Sequence, residues 1–436
     1  MIYVENLNNS GSGSLREALT TPGPRTVLFK VGGTIELSSP IQIYEPYLTI
    51  DGRTAPGDGI TIKSKPGTMV EAPIIVRVSE VIIRYIRFRP GPNKVADACC
   101  GDALSIGHYR NVIRNVIIDH CSFSWAQDEN VETYYNTSNI TIQWSIISES
   151  LNQVLSGNDP SQNVDRTGKA TLLGSTSEDF KISFHHNLLA MNPGRNARFA
   201  GDAVNNQGLA EFVNNYVYGW TSFGLELGQY TYGAFNLLPT NVINNYFESI
   251  PATSDQRCPG GIDAGMTLRP VVYVAGNYND TVTNTAKTLT NPGSEDPWKF
   301  MCLGGGNPFM TIQSNKGYQK STPNRRSQPA ITVQPGESIR NPILAHAGVS
   351  LPKRDAVDNR VVQLVRSKQG KIINDPAAVG GYPTLQSGSV PKDSDGDGLP
   401  DTFETSVGLN PNSAGDGTQD MDGDGYTNLE EYLNNI

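Results

Sequence analysis

Long apolar segments and dense charge are both missing from this sequence. None of its 436 residues belongs to an apolar run as long as the roughly 20 residues that a transmembrane helix requires. Charged residues make up only 18% of the chain, too few for a coiled coil or a disordered acidic protein. We therefore expect a globular protein with a sizeable core that does not cross a membrane.

The main part of the chain also lacks an excess of either charge. The net charge of −9 comes from the C-terminal end, where the residues from Pro391 onward include 11 Asp and Glu but only one Lys. The rest of the chain carries 33 Lys and Arg against 32 Asp and Glu. This balance gives no support for nucleic-acid binding, so a site for an acidic ligand must come from a local basic cluster.

Cysteine is scarce and odd in number. With five cysteines, at least one thiol has no partner within the chain. Cys121 lies in an apolar strand pattern, which predicts a buried core thiol. Cys258 and Cys302 could pair across a long loop or remain separate, whereas the adjacent Cys99 and Cys100 could not bond each other without strain. No Cys-x-x-Cys spacing occurs, which leaves a structural zinc site without support.

Short strand-like segments ending at Gly, Asn, Asp or Pro dominate the chain, with almost no helical period among them. Similar segments recur at steps of 24 to 42 residues and align at positions 86, 121, 145, 187, 215, 245 and 277. The shortest step fits one solenoid coil of three short strands, and the longer steps fit the same coil with loop insertions.

Four asparagines share one column of this alignment: Asn187, Asn215, Asn245 and Asn277. Amides at the same turn of successive coils can bond one another and satisfy polar groups at a buried bend, so we interpret the column as a structural ladder. The sequence therefore predicts an all-β protein, a right-handed parallel β-helix (solenoid). A β-propeller would need hairpin turns and a more regular period.

One segment has a helical period instead. Residues 354–366 place apolar side chains at 357, 361, 364 and 365 on one face, with Asp355 as a plausible N-cap. We expect this helix to pack across the solenoid. We expect residues 1–386 to form the β-helix domain, 387–392 a polar linker, and 393–436 a small C-terminal calcium-binding appendage.

Charged residues are concentrated at four places in otherwise neutral strand sequence. Asp128 lies 26 residues after Asp102, and Arg195 lies 26 residues after Lys169. We expect each pair to stack on successive coils, about 4.8 Å apart. Asp128 and Glu132 project from the same face of an extended chain. Three carboxylates this close repel one another unless a cation lies among them, and hard oxygen ligands suit Ca²⁺. The alternative is a set of solvated surface charges.

At these residues the sequence resembles the pectate lyases of polysaccharide lyase family 1, over most of residues 1–380. The resemblance is carried by VIIDHCSFS at 116–124, the acidic pair and following strand at 128–142, KATLLG at 169–174, and FHHN through RNAR at 184–198. It implies calcium ligands at Asp102, Asp128 and Glu132, a catalytic Arg195, and binding of substrate carboxylates by Lys169 and Arg198.

The sequence departs from the family pattern at three positions. Ala197 stands where the family usually has Pro, and Glu132 replaces the usual Asp, which lengthens that ligand arm. Cys100 occupies the position of the first of two paired acids before Asp102. We expect the free enzyme to hold its first calcium weakly and to need substrate to complete the ligand shell.

The resemblance implies a calcium-dependent enzyme that cleaves α-1,4-linked polygalacturonate by β-elimination and leaves 4,5-unsaturated ends. We expect a secreted monomer whose signal peptide has been removed, acting on an acidic polysaccharide without nucleic-acid or membrane partners.

Two other interpretations compete with this one. A polygalacturonase-type hydrolase would use Asp acids with a His, but Asp119 and His120 are adjacent on a strand and should point to opposite faces. A non-enzymatic carbohydrate-binding solenoid, or adhesin, would leave the stacked Lys169 and Arg195 unexplained.

The acidic C-terminal end contains the pattern D-x-D-x-D-G-x5-E twice, 27 residues apart. In such loops the side chains at positions one, three, five and twelve and a carbonyl at seven bind Ca²⁺. The tail resembles EF-hand-like loops and the calcium-binding repeats of thrombospondin type 3 and dockerin modules. The alternative is an acidic tail without cations. The predicted ligands are Asp393, Asp395, Asp397, Leu399, Asp401, Glu404, Asp420, Asp422, Asp424, Tyr426, Asn428 and Glu431.

Overall fold

The structure is a computed structural model. It describes residues 1–68, 71–92, 101–152, 168–201, 208–228, 238–250, 260–262, 271–280, 301–303, 319–324 and 331–435. The described strands form three sheets in which every neighbouring pair is parallel, and the chain visits the sheets in turn as a right-handed parallel β-helix. The predicted fold class is confirmed.

The three sheets are named here A, B and C. Sheet A contains ten strands: β1 (Ile2–Val4), β2 (Arg25–Phe29), β5 (Leu48–Asp51), β8 (Val81–Arg84), β11 (Ile113–Asp119), β14 (Thr137–Gln143), β17 (Lys181–His185), β20 (Leu209–Val213), β23 (Thr240–Ile243) and β26 (Val272–Ala275). Sheet B contains nine: β3 (Gly33–Leu37), β6 (Ile60–Ser64), β9 (Arg87–Phe88), β12 (Ser122–Ser124), β15 (Ile146–Ser148), β18 (Leu188–Ala190), β21 (Tyr216–Tyr218), β24 (Tyr246–Glu248) and β27 (Tyr278–Asn279). Sheet C also contains nine: β4 (Ile41–Ile43), β7 (Ile74–Val76), β10 (Leu104–Ile106), β13 (Glu129–Thr133), β16 (Lys169–Ser175), β19 (Arg198–Gly201), β22 (Leu225–Gly228), β25 (Gly260–Ile262) and β28 (Met301–Leu303).

The core runs along the inside of the coils because strand residues alternate between the interior and the outer face. In β11, Val116 and Ile118 are fully buried, whereas Ile117 between them is 37% exposed on the outer face of sheet A. The buried side chains form one continuous cluster that extends from Val4 to Val274. Cys121 is part of this cluster, and burial raises the pKa of its thiol. Cys99, Cys100, Cys258 and the side chain of Cys302 lie outside the described residues.

The predicted asparagine ladder is present between sheets A and B. The backbone N–H of Asn187 donates to the side-chain oxygen of Asn215 (3.0 Å), and Asn215 donates in the same way to Asn245 (2.8 Å). Asn245 donates to Asn277 (3.0 Å). The ladder fixes the bend because each amide satisfies a buried backbone group of the neighbouring coil.

The chain reaches this bend through a left-handed backbone conformation. His120, Trp144, His186, Asn214 and Asn244 all have φ between 47° and 57° at the residue just before the ladder column. Stacked rings support part of this column: the rings of Trp144 and His186 lie 4.5 Å apart. Such positions are uncommon for residues other than glycine, and here neighbouring coils hold them in place.

The described helices are α1 (Leu15–Thr20), α2 (Arg340–His346), α3 (Ala356–Arg366), α4 (Asp401–Val407) and α5 (Asn428–Asn435). Helix α3 is the predicted amphipathic helix, and the side chain of Asp355 caps it by accepting from the N–H of Asp358. The carboxylates of Asp355 and Asp358 both bind the buried guanidinium of Arg89, which directly follows β9 of sheet B. Val361 and Val365 of α3 pack with Tyr216 and other sheet B residues, so the helix covers that sheet as expected.

The C-terminal appendage, residues 393–435, packs against the first coils. Leu399, Leu429 and Leu433 form an apolar cluster with Leu28 of β2. A groove of about 1130 Å³ lies between the appendage, the segment around Gln334 and the outer face of sheet A. Among the described residues, the structure contains no helix whose length and hydropathy would let it cross a membrane.

Candidate active site

The charged residues singled out in the sequence lie side by side at the N-terminal ends of central strands of sheet C. This border of the sheet is called the edge of sheet C below. Asp102 precedes β10, Asp128 precedes β13, Lys169 begins β16, and Arg195 precedes β19. These four strands are consecutive neighbours in the sheet. Because the strands are parallel, residues near their N-terminal ends come together on successive coils.

The register of the coils differs by one residue from the expected stacking. Leu104 pairs with Val131, an offset of 27 residues, so Asp102 lies beside Glu129 rather than beside Asp128. The backbone N–H of Glu129 donates to the carboxylate of Asp102 (2.9 Å). On the next coils β16 and β19 pair with the expected offset of 26 residues, Leu172 with Arg198. Before β19, however, Lys169 bridges to Gly194, which places Arg195 one residue past the aligned position. Simple counting along the sequence does not reveal Glu129, because the offset depends on how the turns between strands are built.

Three carboxylates form the acidic cluster of this edge. Oxygens of Asp102, Asp128 and Glu129 all lie within 4.8 Å of one another. Asp102 is 5% exposed, and burial together with repulsion from Glu132 and Glu129 raises its pKa well above the ordinary value. Burial and repulsion from Asp128 raise the pKa of Glu129 to about 8, although Arg195 acts in the opposite direction. Crowded, desolvated carboxylates of this kind fit a hard divalent cation that prefers oxygen ligands.

Glu132 lies further along β13, beside this cluster. Its register neighbour Ser105 donates a hydrogen bond to its carboxylate (2.9 Å). Burial raises the pKa of Glu132, and the negative charge of Asp128 adds to this effect while Ser105 opposes it. Glu132 therefore interacts electrostatically with the cluster. Among the described residues, however, the third carboxylate grouped with Asp102 and Asp128 is Glu129.

Each basic residue of the edge is in contact with an acid. The ammonium of Lys169 lies 2.7 Å from Asp128, and the guanidinium of Arg195 contacts Glu129. Arg198 pairs with Glu226 (3.1 Å), which also accepts the backbone N–H of Arg195 (3.2 Å). Glu129 and Glu226 were not identified from the sequence. Positive and negative groups are paired in this site, so an acidic polymer and a cation could both be bound without a large net charge.

Asp119 and His120 do not point to opposite faces, so that prediction is wrong. The ring of His120 lies 2.7 Å from the Asp119 carboxylate, because His120 follows the end of β11 with φ of 50° and its side chain turns back. Arg84 and Gln143 also bind Asp119, at 3.0 and 2.9 Å. His120 stacks on Tyr85, with ring centres 4.9 Å apart. This carboxylate is enclosed by structural partners on sheet A and lies outside the acidic cluster of sheet C.

The structure brings together only some of the ligands predicted in the appendage. Asp395, Asp397 and Glu404 lie within 4.8 Å of one another and are joined by Asp416, which the sequence did not single out. Asp420, Asp422 and Asp424 form a second group that is exposed.

The remaining predicted positions have other contacts. Asp393 accepts from the Tyr3 hydroxyl and from the N–H groups of Gly396 and Gly398. Asp401 pairs with Lys392 (2.7 Å). Glu431 lies in α5 and belongs to neither carboxylate group of the described residues, and Asn428 donates to the carbonyl of Asp416. Leu399 and Tyr426, which are predicted to bind through their backbone carbonyls, have side chains that are fully buried and 53% exposed, respectively.

Comparison with known proteins gives consistent relatives. The chain is 34% identical over 437 residues to the probable pectate lyase C of Aspergillus flavus, covering 99% of this chain and 88% of that protein. It is 33% identical to the probable pectate lyase C of Aspergillus oryzae, covering all of this chain and 89% of that protein. No family model matches the chain.

Among solved structures, the cedar pollen allergen jun a 1 matches with a TM-score of 0.49 and 16% identity, covering 80% of this chain and 88% of the allergen. A pectate lyase from Bacillus sp. N165 in complex with trigalacturonate matches with a TM-score of 0.44 and 16% identity, covering 80% and 93%.

Proposed function

Because the chain belongs to the pectate lyases and is therefore a lyase enzyme, we propose that it cleaves α-1,4-linked polygalacturonate by β-elimination in a calcium-dependent reaction. The proposal rests on one arrangement, the row Asp102, Glu129, Lys169 and Arg195 at the edge of sheet C. Two buried carboxylates are followed along this row by two basic side chains. The products would be 4,5-unsaturated oligogalacturonides.

The basic residues supply binding and proton transfer in this scheme. Lys169 and Arg198 bind carboxylates of the polymer and set its position on sheet C. Arg195 accepts the C5 proton, the C4–O bond breaks, a C4=C5 double bond forms, and the leaving oxygen takes up a proton. The reaction consumes no water.

Arginine is a demanding choice for a base because its guanidinium is normally charged. In the arrangement described, Arg195 contacts Glu129. Arg195 can accept a proton only when Glu129 no longer holds it and its remaining neighbours, such as Lys169 and Arg198, are cationic. We therefore expect the enzyme to prefer alkaline conditions.

We propose Asp102, Asp128 and Glu132 as calcium ligands, with Glu129 as a further carboxylate of the same site. Bound calcium would supply positive charge next to the substrate carboxylate, which stabilises the negative charge that develops when the C5 proton leaves. The carboxylates supply hard oxygen atoms at a buried edge, which is the donor set that calcium prefers.

The reaction is tested by adding the protein to de-esterified polygalacturonate and following ultraviolet absorbance of the unsaturated uronate. We expect the absorbance to increase with time when calcium is present, and we expect this increase to stop after a chelator is added. New reducing ends without absorbance would indicate hydrolysis and contradict the proposal.

The remaining expectations concern the appendage and the setting of the enzyme. We propose that the appendage binds calcium separately from the catalytic site. We also propose that the enzyme acts outside the cell, since its substrate class is an extracellular polymer. We propose in addition that it is a monomer.

A further inference from the structure

Four carboxylates of the appendage converge although the sequence pattern places only three of them in one loop. Asp395 and Asp397 lie in the loop, Glu404 lies in α4, and Asp416 begins a short 3-10 turn, Asp416–Thr418. This group is called the appendage cluster below. It therefore joins three separate segments of the C-terminal chain.

The appendage cluster contains a buried carboxylate without a partner. Glu404 is 0% exposed, and neither of its carboxylate oxygens has a hydrogen-bond partner. One oxygen each of Asp395 and Asp416 is likewise buried and unbonded. No ion pair of the described residues involves the cluster, and the nearby Lys392 pairs with Asp401 instead. Buried charges without partners are strongly unfavourable, so these oxygens indicate a cation site.

The exposed group of Asp420, Asp422 and Asp424 differs in this respect. All three residues are solvent-exposed. Water can stabilise their charges, so this group gives no comparable indication of a bound cation.

Hydrogen bonds connect the appendage cluster to the rest of the appendage. The N–H of Gly417 donates to Asp397 (2.8 Å), and the side chain of Asn428, the first residue of α5, donates to the carbonyl of Asp416 (2.7 Å). The positions of α4, the 3-10 turn and α5 are therefore linked through these residues.

The same segments form the surface that contacts the solenoid. Leu399 precedes α4, Leu429 and Leu433 lie in α5, and all three belong to one apolar cluster with Leu28 of β2. The hydroxyl of Tyr3 in β1 donates to Asp393 of the loop. If the cluster came apart, mutual repulsion of its carboxylates would separate the segments that carry these leucines.

We propose that the appendage cluster holds Ca²⁺, with Asp416 as a ligand from outside the loop pattern, and that this ion keeps the appendage docked on the first coils of the solenoid. The inference rests on the proposed calcium binding by the appendage and does not depend on lyase activity. Calcium in the appendage then has a structural role that is separate from the acidic cluster of sheet C.

The first experiment uses the full-length protein stripped of metal by a chelator and titrated with calcium alone. Hydrogen exchange followed by mass spectrometry reports on peptides covering α4, α5 and β2. We expect all three to gain protection together as calcium is added. Equal hydrogen exchange with and without calcium would overturn the proposal that the ion keeps the appendage docked on the solenoid.

The second experiment compares two matched variants, Asp416→Asn and Glu430→Gln, where Glu430 is an exposed carboxylate outside the appendage cluster and outside the predicted loop ligands. Asparagine keeps an oxygen that can accept the N–H of Asn410, which Asp416 now binds at 3.1 Å. We expect Asp416→Asn to raise the calcium midpoint for protection at least about tenfold. Glu430→Gln should leave this midpoint unchanged. An unchanged midpoint in Asp416→Asn would show that Asp416 is not a ligand and would overturn the proposal.

Two further measurements separate a ligand role from a folding defect. At saturating calcium, Asp416→Asn should recover the exchange pattern of the natural protein. A variant with a damaged turn would not recover this pattern. Failure to recover would therefore overturn the assignment of Asp416 as a ligand. Calorimetric titration counts the bound ions. Calcium uptake by the appendage without a change in exchange would refute the docking inference alone, and absence of uptake would refute the appendage site as well. None of these results bears on polygalacturonate cleavage.

Discussion

Arg195 and Glu129 show how single residues determine the chemistry of the sheet C edge. Arg195 is the proposed base, and its contact with Glu129 ties it to the acidic cluster. Glu129 is only 2% exposed, so its charge is poorly screened by water. Changes at either residue should alter catalysis without removing a strand from the solenoid.

We expect Arg195→Lys to lose activity on polygalacturonate on the order of a thousandfold. Lysine keeps the positive charge but loses the planar guanidinium and the position of the proposed base. The initial rate of unsaturated product formation measures this loss, and circular dichroism checks the fold. Arg366→Lys, at an exposed position in α3, serves as the control. Near-normal turnover of Arg195→Lys would remove this residue from the mechanism.

Glu129→Gln should raise the calcium concentration for half-maximal rate at least about tenfold, because a carboxylate of the cluster is lost. Calcium titration of the rate gives this value. Glu226→Gln is the matched control, since Glu226 also contacts Arg195 and Arg198 but does not belong to the cluster. If both variants shifted the calcium dependence equally, the assignment of Glu129 to the metal site would be wrong.

His186 should make the stability of the solenoid depend on pH. Burial lowers its pKa to about 4, so the unfolded chain binds a proton between about pH 6.5 and 4 that the folded chain does not. Stability is therefore complete above this range and decreases as the pH falls through it, by about 3 kcal/mol from this residue.

Denaturant unfolding at several pH values tests this expectation. His186→Asn should flatten the decrease, and asparagine suits the backbone because Asn214 and Asn244 have the same left-handed conformation in the same column. Exposed His346→Asn should keep the original slope. An unchanged slope in His186→Asn would contradict the pKa argument.

At the scale of secondary structure, the asparagine ladder holds the turns between sheets A and B. Asn215 is fully buried, and its side chain bonds four groups. It accepts from the backbone N–H and the side-chain amide of Asn187, and it donates to the carbonyl of Phe184 and the side chain of Asn245. Strands of a solenoid are short, so their stability depends strongly on the coils above and below. Losing one member of the ladder affects two interfaces between coils.

Asn215→Ala should reduce the free energy of unfolding by about 3 kcal/mol, because buried donors and acceptors of adjacent coils lose their partner. Chemical denaturation measures the change. Asn359→Ala, on the exposed side of α3, is the control and should cost far less. A loss in Asn215→Ala no larger than in this control would show that the ladder contributes little.

At the scale of the whole molecule, the appendage and the sheet C edge are separate features of one chain. The appendage packs on β1 and β2 at the start of the solenoid, and the acidic cluster lies beside β10 and β13 of sheet C. The two proposed calcium locations should therefore be separable. The first should govern stability and the second the rate.

Removal of residues 391–436 should leave a lyase that still requires calcium, because Asp102 and its neighbours are retained. The truncated chain should be less stable by about 2 kcal/mol, since Leu28 becomes exposed. Thermal unfolding and calcium titration of the rate measure the two effects. Activity of the truncated chain without calcium would contradict the assignment of the catalytic metal to the solenoid.

The sequence alone determined the fold class, the asparagine ladder, α3 with its Asp355 cap, and the types of charged residue in the candidate site. These features are local or periodic: a strand ends at its turn residue, a ladder repeats with the coil, and a cap acts on the adjacent helix turn.

Only the tertiary structure decided which side chains meet. The register places Glu129 beside Asp102, the left-handed backbone at His120 brings its ring onto Asp119, and the fold of the appendage adds Asp416 to Glu404. Each of these contacts depends on turn conformation or on chain segments far apart in sequence. A shift of one residue in a turn moves a side chain to a different neighbour, and residue spacing does not record that shift.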